Sequence, residues 1–304
     1  MRAFVTGGHG FVGTWLVRHL RAEGDDVTAP HADDVDITDP AATTAAITAA
    51  KPDAVYHLAG FAHVGQSWQR PQQVFTVNAL GTLNVLEATR QANARVLVVS
   101  SAEVLGTVAP EDLPLTEAAP VKPISPYGAS KAAAELLAQQ AHRGHGTHAV
   151  VARPFNHTGP GQSPDFVVPA FAARIATADT TLNVGNLSPR RDMTDVRDVV
   201  RAYRLLIEHG EPGEVYNVCS GTDVAIAELV RRMCELAGKP DLQLREDPDL
   251  FRPADIPVLR GDPGKLNRAT GWQPKIPLDQ TLQDVLGRDE GRPGGERPSS
   301  FGGS

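Results

Sequence analysis

Short apolar runs alternate along this chain with longer segments of helical spacing. Ala3-Phe4-Val5-Thr6, Ala54 to Leu58, Arg95 to Ser100, Ala149-Val150-Val151-Ala152 and Val215-Tyr216-Asn217-Val218 read as strands. The run at 95–100 is apolar enough for a parallel strand covered on both faces. Two weaker strands are predicted near Asp26 to Ala29 and at Leu182-Asn183-Val184. Helices are predicted from Phe11 to about Glu23, over 40–50, 71–92, 126–143 and 165–177, from Asp195 to about His209, and over 224–237. Asp36 to Pro40 supplies a cap for the second of these, and Ser125-Pro126 an N-cap with proline at the first helical position for the fourth. A short helix begins near Asp262, and Gly271 to Pro274 is a turn. Strands alternating with helices make this an α/β protein built on a doubly wound parallel sheet, whose ligands sit outside the carboxyl ends of the strands. No internal repeat is present, and residues 287–304 lack an apolar pattern, so a disordered tail is expected there.

The first strand runs into Gly7-Gly8-His9-Gly10-Phe11-Val12-Gly13 and then a helix. Glycines at 7, 10 and 13 suit a tight turn, a backbone approached by a pyrophosphate, and close helix–strand packing. The amides of Phe11 and Val12 then open a helix whose positive end faces the phosphates. This context specifies a Rossmann-type dinucleotide site. Leu58-Ala59-Gly60 closes the third strand with small residues beside the cofactor, and Asn78 lies in the helix that follows. His9 reads as a solvent-facing turn residue. Where an acid would bind the adenosine 2′-hydroxyl of NAD, the chain reads Ala29-Pro30-His31, with Asp33 and Asp34 a few residues late. That absence leans towards NADPH over NADH, with His31 or Arg2 as phosphate neighbours, and places Asp36-Ile37 at the adenine edge.

Ser125-Pro126-Tyr127-Gly128-Ala129-Ser130-Lys131 opens the Ala-rich helix, and its Tyr127 and Lys131 lie one turn apart on one face. A phenol of ordinary pKa about 10 exchanges protons poorly at neutral pH unless its anion is stabilised. An ammonium one turn away supplies that stabilisation. Ser100 and Ser101 end the neighbouring strand, where a serine can serve chemistry or simply cap a turn.

Composition narrows the class. The chain has 304 residues, 41% of them hydrophobic, with a net charge of −7, so a substantial core forms and non-specific nucleic-acid binding is excluded. Anionic ligands must be held by local arginines or backbone amides. Cys219 and Cys234 form neither a disulfide framework nor a zinc motif. His142, His145 and His148 have no further ligand at metal spacing, so no metal is expected. Without a membrane-length apolar run or an N-terminal leader, the expectation is a cytoplasmic protein with no membrane partner.

Taken together, Thr6-Gly7 with Gly10 and Gly13, Ser100-Ser101, and Tyr127 with Lys131 resemble the extended short-chain dehydrogenase/reductases that act on nucleotide sugars. The resemblance covers roughly residues 1 to 287. Arg153 to Gln162, Val184 to Leu187, Arg191 to Asp198 and Arg252 to Pro257 resemble the GDP-4-dehydro-6-deoxy-D-mannose reductases. It implies NAD(P)H-dependent reduction of a sugar 4-keto group, giving GDP-D-rhamnose. Ser101, Tyr127 and Lys131 would be the catalytic set, Lys131 also holding the nicotinamide ribose. Pro154 would border the cofactor. Asn156, Arg191 and Arg252 would bind the nucleotide diphosphate or ribose, with Arg190 a weaker candidate and Ser101, Glu103 and Tyr127 around the sugar. Many dehydratases of this superfamily carry an Asp-Glu pair where this chain has Ala102-Glu103, so the acid is absent. Glu103 keeps a GDP-mannose-type 4,6-dehydratase, or a 4-epimerase, as the second reading. Leu105 stands where the family has tyrosine.

The resemblance also implies an interleaved division. A cofactor-binding domain takes residues 1–160 and 186–218, and a smaller α/β nucleotide-sugar-binding domain takes 161–185 and 219–286. Met233 and Cys234 are core positions, and Arg201 and Arg204 surface ion-pair residues. A homodimer through the helices near 71–93 and 126–143 is expected, although the Ala-rich face 132–141 suits the protein's own sheet equally. A regulator that binds the cofactor without turnover is a third reading, against which stand Ser101, Tyr127 and Lys131.

Overall fold

The computed structural model describes residues 1–247, 250 and 256–287; the expected tail beyond residue 287 lies outside them. In chain order the elements begin with β1 (Arg2–Thr6), α1 (Phe11–Ala22), β2 (Asp26–Thr28), α2 (Pro40–Ala50), β3 (Ala54–His57), α3 (Val64–Ser67), α4 (Pro71–Phe75) and α5 (Gly81–Gln91). Then come β4 (Arg95–Val99), α6 (Pro126–His145), β5 (Ala149–Pro154), β6 (Asn156–Thr158), α7 (Val167–Thr177), β7 (Thr181–Val184) and β8 (Arg190–Asp195). The chain continues through α8 (Val196–His209), β9 (Val215–Val218), β10 (Asp223–Ala225), α9 (Ile226–Leu236), β11 (Gln243–Glu246), β12 (Val258–Leu259), α10 (Gly264–Thr270) and α11 (Leu278–Leu286).

The large sheet has the order β2-β1-β3-β4-β5-β9, and every neighbouring pair in it is parallel. From β1 the chain goes to one side for β2 and then crosses to the other for β3. The crevice between the carboxyl ends of β1 and β3 is therefore the switch point at which such sheets bind ligands. Strand alternation feeds two cores. Ala3, Val5, Tyr56, Leu97 and Val150 face a cluster with Leu16, Val199, Tyr203 and Leu206 of α1 and α8. Phe4, Val55, Val96, Val98 and Val151 face one with Ile47, Val85, Ala134 and Ala138 of α2, α5 and α6. The small alanines of α6 are thus spent on the protein's own sheet.

A smaller unit surrounds β8, which pairs with β6, β10 and β12, while β11 pairs with β7. A third core, including Phe171, Ile175, Leu229, Met233, Cys234 and Leu282, binds α7, α9 and α11 together. The chain returns to the large sheet through α8 and β9.

Two expectations need correction. The helix foreseen over 71–92 is interrupted by a π-helical turn at Thr76–Leu80, because Asn78 turns inward and is held by neighbouring segments, as described below. Arg201 and Arg204 are not on an exposed face. Arg204 Nε donates to Asp25 (3.0 Å), which also holds the N-terminal amine (2.7 Å), and Arg201 Nη2 donates to Gln273 O before α11 (2.5 Å). These arginines fasten α8 to its neighbours. Among the described residues no helix is long and apolar enough to cross a membrane, and no group of three or more His, Cys, Asp or Glu side chains is placed to hold a metal ion.

Candidate active site

The glycine-rich loop owes its shape to close packing. Gly7 has φ +71°, and a Cβ there would lie 2.7 Å from the Ala59 amide nitrogen; one at Gly13 would lie 2.0 Å from the Gly7 carbonyl oxygen. Gly10 donates its amide to Gly7 O (3.1 Å) and precedes α1 with no side-chain cap. The first amides of α1, those of Phe11 and Val12 among them, are left for an anionic ligand. Side chains are missing where a pyrophosphate would lie, so the cradle fits a dinucleotide held by Gly7, Gly10, Phe11, Val12 and Gly13.

Beneath the cradle, the Thr6 hydroxyl accepts from Ala59 N (3.2 Å) and bonds His57 Nδ1 (2.8 Å). His57 Nε2 bonds the Thr82 hydroxyl (2.9 Å). Burial, with Lys131 nearby, drives His57 down to about 3, so a neutral imidazole braces β1, β3 and α5. Leu58 and Ala59 are half-buried and Gly60 exposed along this edge.

At the end of β2, His9 is exposed as foreseen, but its Nε2 donates to Ala29 O (3.0 Å). Its ring meets that of His31 edge-on, 5.2 Å between centroids. His31 Nδ1 lies 3.1 Å from Asp33. Arg2 is excluded as a phosphate neighbour: it begins β1, at the opposite end of the sheet, and pairs with Asp53 (2.8 Å). Asp36 Oδ1 accepts from the amide and hydroxyl of Thr38 (both 2.8 Å), closing a turn. Ile37 is buried against α5, where a Cβ on Gly81 would lie 2.7 Å from its Cδ1.

Helix α6 is capped by Ser125, whose hydroxyl accepts from Gly128 N (3.0 Å), and presents Tyr127 and Lys131 with 8% exposure each. Burial pushes the phenol up to about 12, against a hydrogen bond from Ser101 that lowers it; Glu103 adds to the rise. Burial brings the Lys131 ammonium down to about 8, and Glu135 opposes that fall. Lys131 Nζ donates to Val99 O at the end of β4 (2.9 Å). The structure therefore brings Ser101, Tyr127 and Lys131 together. The arrangement suits proton delivery from a phenol to a developing oxyanion, with a cation beside the phenolate that remains.

Asn78 is 1% exposed, and its side chain is occupied. It accepts from Phe61 N (2.7 Å) and donates to Phe61 O (3.2 Å) and Ser130 Oγ (2.9 Å). Ser130 in turn donates to Tyr127 O (2.7 Å). The π turn thus places a brace beneath the helix that carries Tyr127 and Lys131, a use of such turns that recurs at functional sites. Gly60 is required here by protein atoms, since a Cβ would lie 2.9 Å from Asn78 Oδ1 and 3.3 Å from Lys131 Nζ.

Sequence reasoning missed a buried group behind these residues. Glu135 accepts from Ser100 Oγ (2.6 Å) and from Arg153 Nε (2.9 Å) and Nη2 (2.8 Å). Two signals were present: an acid one turn beyond Lys131, and an arginine inside the apolar run 149–154. His157 was also passed over; its ring stacks on Phe11 at 6.5 Å and 7°.

On the substrate side, Pro154 ends β5 buried, and half-buried Asn156 opens β6 opposite Met193 of β8. Arg191 Nη1 donates to the Ile256 carbonyl (2.7 Å), while Arg190 is paired with Asp223. Arg252 lies outside the described residues. After β4, Ala102 is buried and Glu103 half-buried. Leu105, which replaces the expected tyrosine, packs with Leu115, Phe155 and Leu259.

A family profile described as GDP-mannose 4,6 dehydratase matches residues 4–285. The GDP-6-deoxy-D-mannose reductase of Pseudomonas aeruginosa is 39% identical over 301 residues, covering 96% of this chain and 98% of that protein. Among solved structures, RMD from Pseudomonas aeruginosa complexed with NADPH superimposes with a TM-score of 0.87 at 38% identity, covering 94% of this chain and 97% of that one. Thermus thermophilus UDP-glucose 4-epimerase in complex with NAD gives 0.85 at 32% identity, covering 94% and 98%.

Proposed function

The chain belongs to the GDP-mannose 4,6-dehydratase-like extended short-chain dehydrogenase/reductases, and from that premise we propose that it reduces the 4-keto group of GDP-4-dehydro-6-deoxy-D-mannose to give GDP-D-rhamnose. The observation that carries this reading is the Ser101–Tyr127–Lys131 set, its tyrosine and lysine buried, its serine half-buried and its lysine beside Gly60, without a carboxylate at Ala102. The full-length likeness to a GDP-6-deoxy-D-mannose reductase supports the same substrate.

The reduced nicotinamide cofactor supplies the hydride that the ketone carbon receives. Tyr127 gives its phenolic proton to the sugar oxygen as negative charge gathers there. Ser101 orients that oxygen, and the Lys131 ammonium stabilises the phenolate and binds the ribose. Gly7, Gly10, Phe11, Val12 and Gly13 hold the pyrophosphate; Leu58, Ala59, Gly60, Ser100 and Pro154 border the rest of the cofactor, and Asp36-Ile37 the adenine. The residues of 1–160 and 186–218 form the cofactor-binding part and those of 161–185 and 219–286 the nucleotide-sugar part, with β6 and β8 of the first joined to β10 and β12 of the second in the small sheet. Asn156, Arg191 and Arg252 receive the diphosphate and ribose, guanidinium forks being matched to phosphate oxygens. NADPH is favoured over NADH, because the chain runs Ala29-Pro30-His31 where an acid would bind the adenosine 2′-hydroxyl, and two imidazoles meet there. The enzyme works in the cytoplasm as a homodimer. Exposed Phe75, Leu80 and Leu136 on neighbouring α4, the π turn and α6 support that assembly.

Glu103 is the observation that favours the second reading, a 4,6-dehydratase, since it lies in the turn after Ser101. One assay decides. Purified protein is mixed with GDP-4-dehydro-6-deoxy-D-mannose and NADPH or NADH, cofactor absorbance is followed, and the product is identified by NMR. Cofactor loss with GDP-rhamnose formation is the expected outcome. No consumption, with GDP-mannose instead dehydrated in the presence of oxidised cofactor, overturns it.

A further inference from the structure

Glu135 lies one turn beyond Lys131 and two beyond Tyr127 on the same face of α6, and is 4% exposed. Its Oε1 accepts from Ser100 Oγ (2.6 Å) and Arg153 Nε (2.9 Å), and its Oε2 accepts from Arg153 Nη2 (2.8 Å). Ser100 directly precedes Ser101, and Arg153 belongs to β5, whose end leads into Asn156. One carboxylate therefore ties the helix that carries Tyr127 and Lys131 to the two strand ends that carry Ser101 and Asn156. Stability alone accounts poorly for this group. Desolvating a charge pair costs about as much as its attraction returns, and apolar residues of similar volume often do as well. The pair is also incompletely satisfied, for Arg153 Nη1 is buried without a hydrogen-bond partner among the described residues.

We propose that Glu135 is a positioning residue for the reaction: it sets the reach of Tyr127 and Lys131 towards Ser101 and supplies the negative charge that faces the Lys131 ammonium. This rests on the reductase reading of Tyr127 and Lys131. The charged and titratable groups that bear on that ammonium are Glu135 on α6 and His57 of β3, while Glu103 in the turn after β4 bears on Tyr127 and Arg153 of β5 on Glu135. His57 is neutral, and among the described residues Glu135 is the ion-pair partner of Arg153. Without the carboxylate, Lys131 loses the charge that opposes its burial and gives up its proton at lower pH.

Two variants separate reach from charge. Glu135→Gln keeps the length and removes the charge; Glu135→Asp keeps the charge and withdraws it by one methylene. In Glu135→Gln the alkaline limb of kcat against pH moves down by about one unit. In Glu135→Asp the limb stays in place while kcat falls by up to about 10²-fold, the cost of misplacing reacting groups by an ångström. A merely structural residue would lower Tm in both variants and leave the limb where it is, and that result overturns the proposal. Should Glu135→Gln fail to fold, Ser100→Ala removes one anchor and leaves the ion pair. Several-fold lower kcat with unchanged KM is then expected, and wild-type kcat is fatal to the idea. The pH dependence of NADPH binding, read by cofactor fluorescence, needs no sugar. A wild type that binds NADPH but reduces no keto-sugar ends the reductase reading, while the shift of the binding curve in Glu135→Gln still judges Glu135.

Discussion

Tyr127 and Lys131 are useful because burial acts on them in opposite senses. Desolvation raises the phenol to about 12 and lowers the ammonium to about 8, so at neutral pH the phenol holds a proton to give and the cation stands ready for the anion left behind. Tyr127→Phe should lower kcat by roughly 10²–10⁴-fold, the usual worth of a positioned general acid. GDP affinity, measured by calorimetry, should not change; equal loss of both would remove the phenol from the chemistry. Activity should fall as pH rises past about 8, where Lys131 loses its proton, and a flat kcat/KM profile through that range would contradict the assigned role. The stability effect has the opposite sign. The folded value lies below the ordinary 10.5, so the unfolded chain binds more protons between the two, and the Lys131 contribution to stability grows as pH climbs from about 8. At the end of β2, His31→Ala should weaken NADPH binding several-fold and leave NADH untouched; parallel losses would mean that His31 does not read the 2′-phosphate.

At the scale of elements, the site depends on how closely backbones approach. The turn into α1 packs so tightly that a methyl on Gly13 would lie 2.0 Å from Gly7 O. Gly13→Ala must therefore displace the loop, and its NADPH dissociation constant should rise by more than about tenfold, an affinity cost of 1.4 kcal/mol. Helix α8 shows a different dependence. Its stripe of Val196, Val199, Val200, Tyr203, Leu206 and Ile207 closes one face of the large sheet. Leu206→Ala should cost about 2–5 kcal/mol of stability, visible as a lower denaturation midpoint with little change in the cofactor affinity of the folded fraction.

For the whole molecule, the large sheet supplies a rigid crevice at β1 and β3, and the smaller unit around β8 stands beyond β5 and β9. The outer faces of α4, α6 and the π turn carry Phe75, Leu80 and Leu136 into solvent. If they form the dimer contact, Leu80→Glu with Leu136→Glu should halve the mass seen by light scattering while NADPH affinity persists. A wild type that is already monomeric would remove the dimer from the proposal.

Much of this was legible in order of residues alone, since local rules govern it. The glycine spacing, the Ser125-Pro126 cap, the Tyr127–Lys131 turn and the apolar strands each express backbone geometry or helical period over a few residues, and together they determined the α/β class, the dinucleotide cradle and the shared face of Tyr127 and Lys131. Contacts between distant segments decided the rest. Nothing local to Asn78 reveals that Phe61 and Ser130 will consume its amide and open a π turn in a helix that reads as continuous. Arg2 could be placed near a phosphate until the register of β1 put it at the far end of the sheet against Asp53. Glu135 and Arg153 are ordinary charged residues in sequence. Only packing α6 across β4 and β5 buries them, and burial is what turns an ion pair of little worth in water into a tie between α6 and β5.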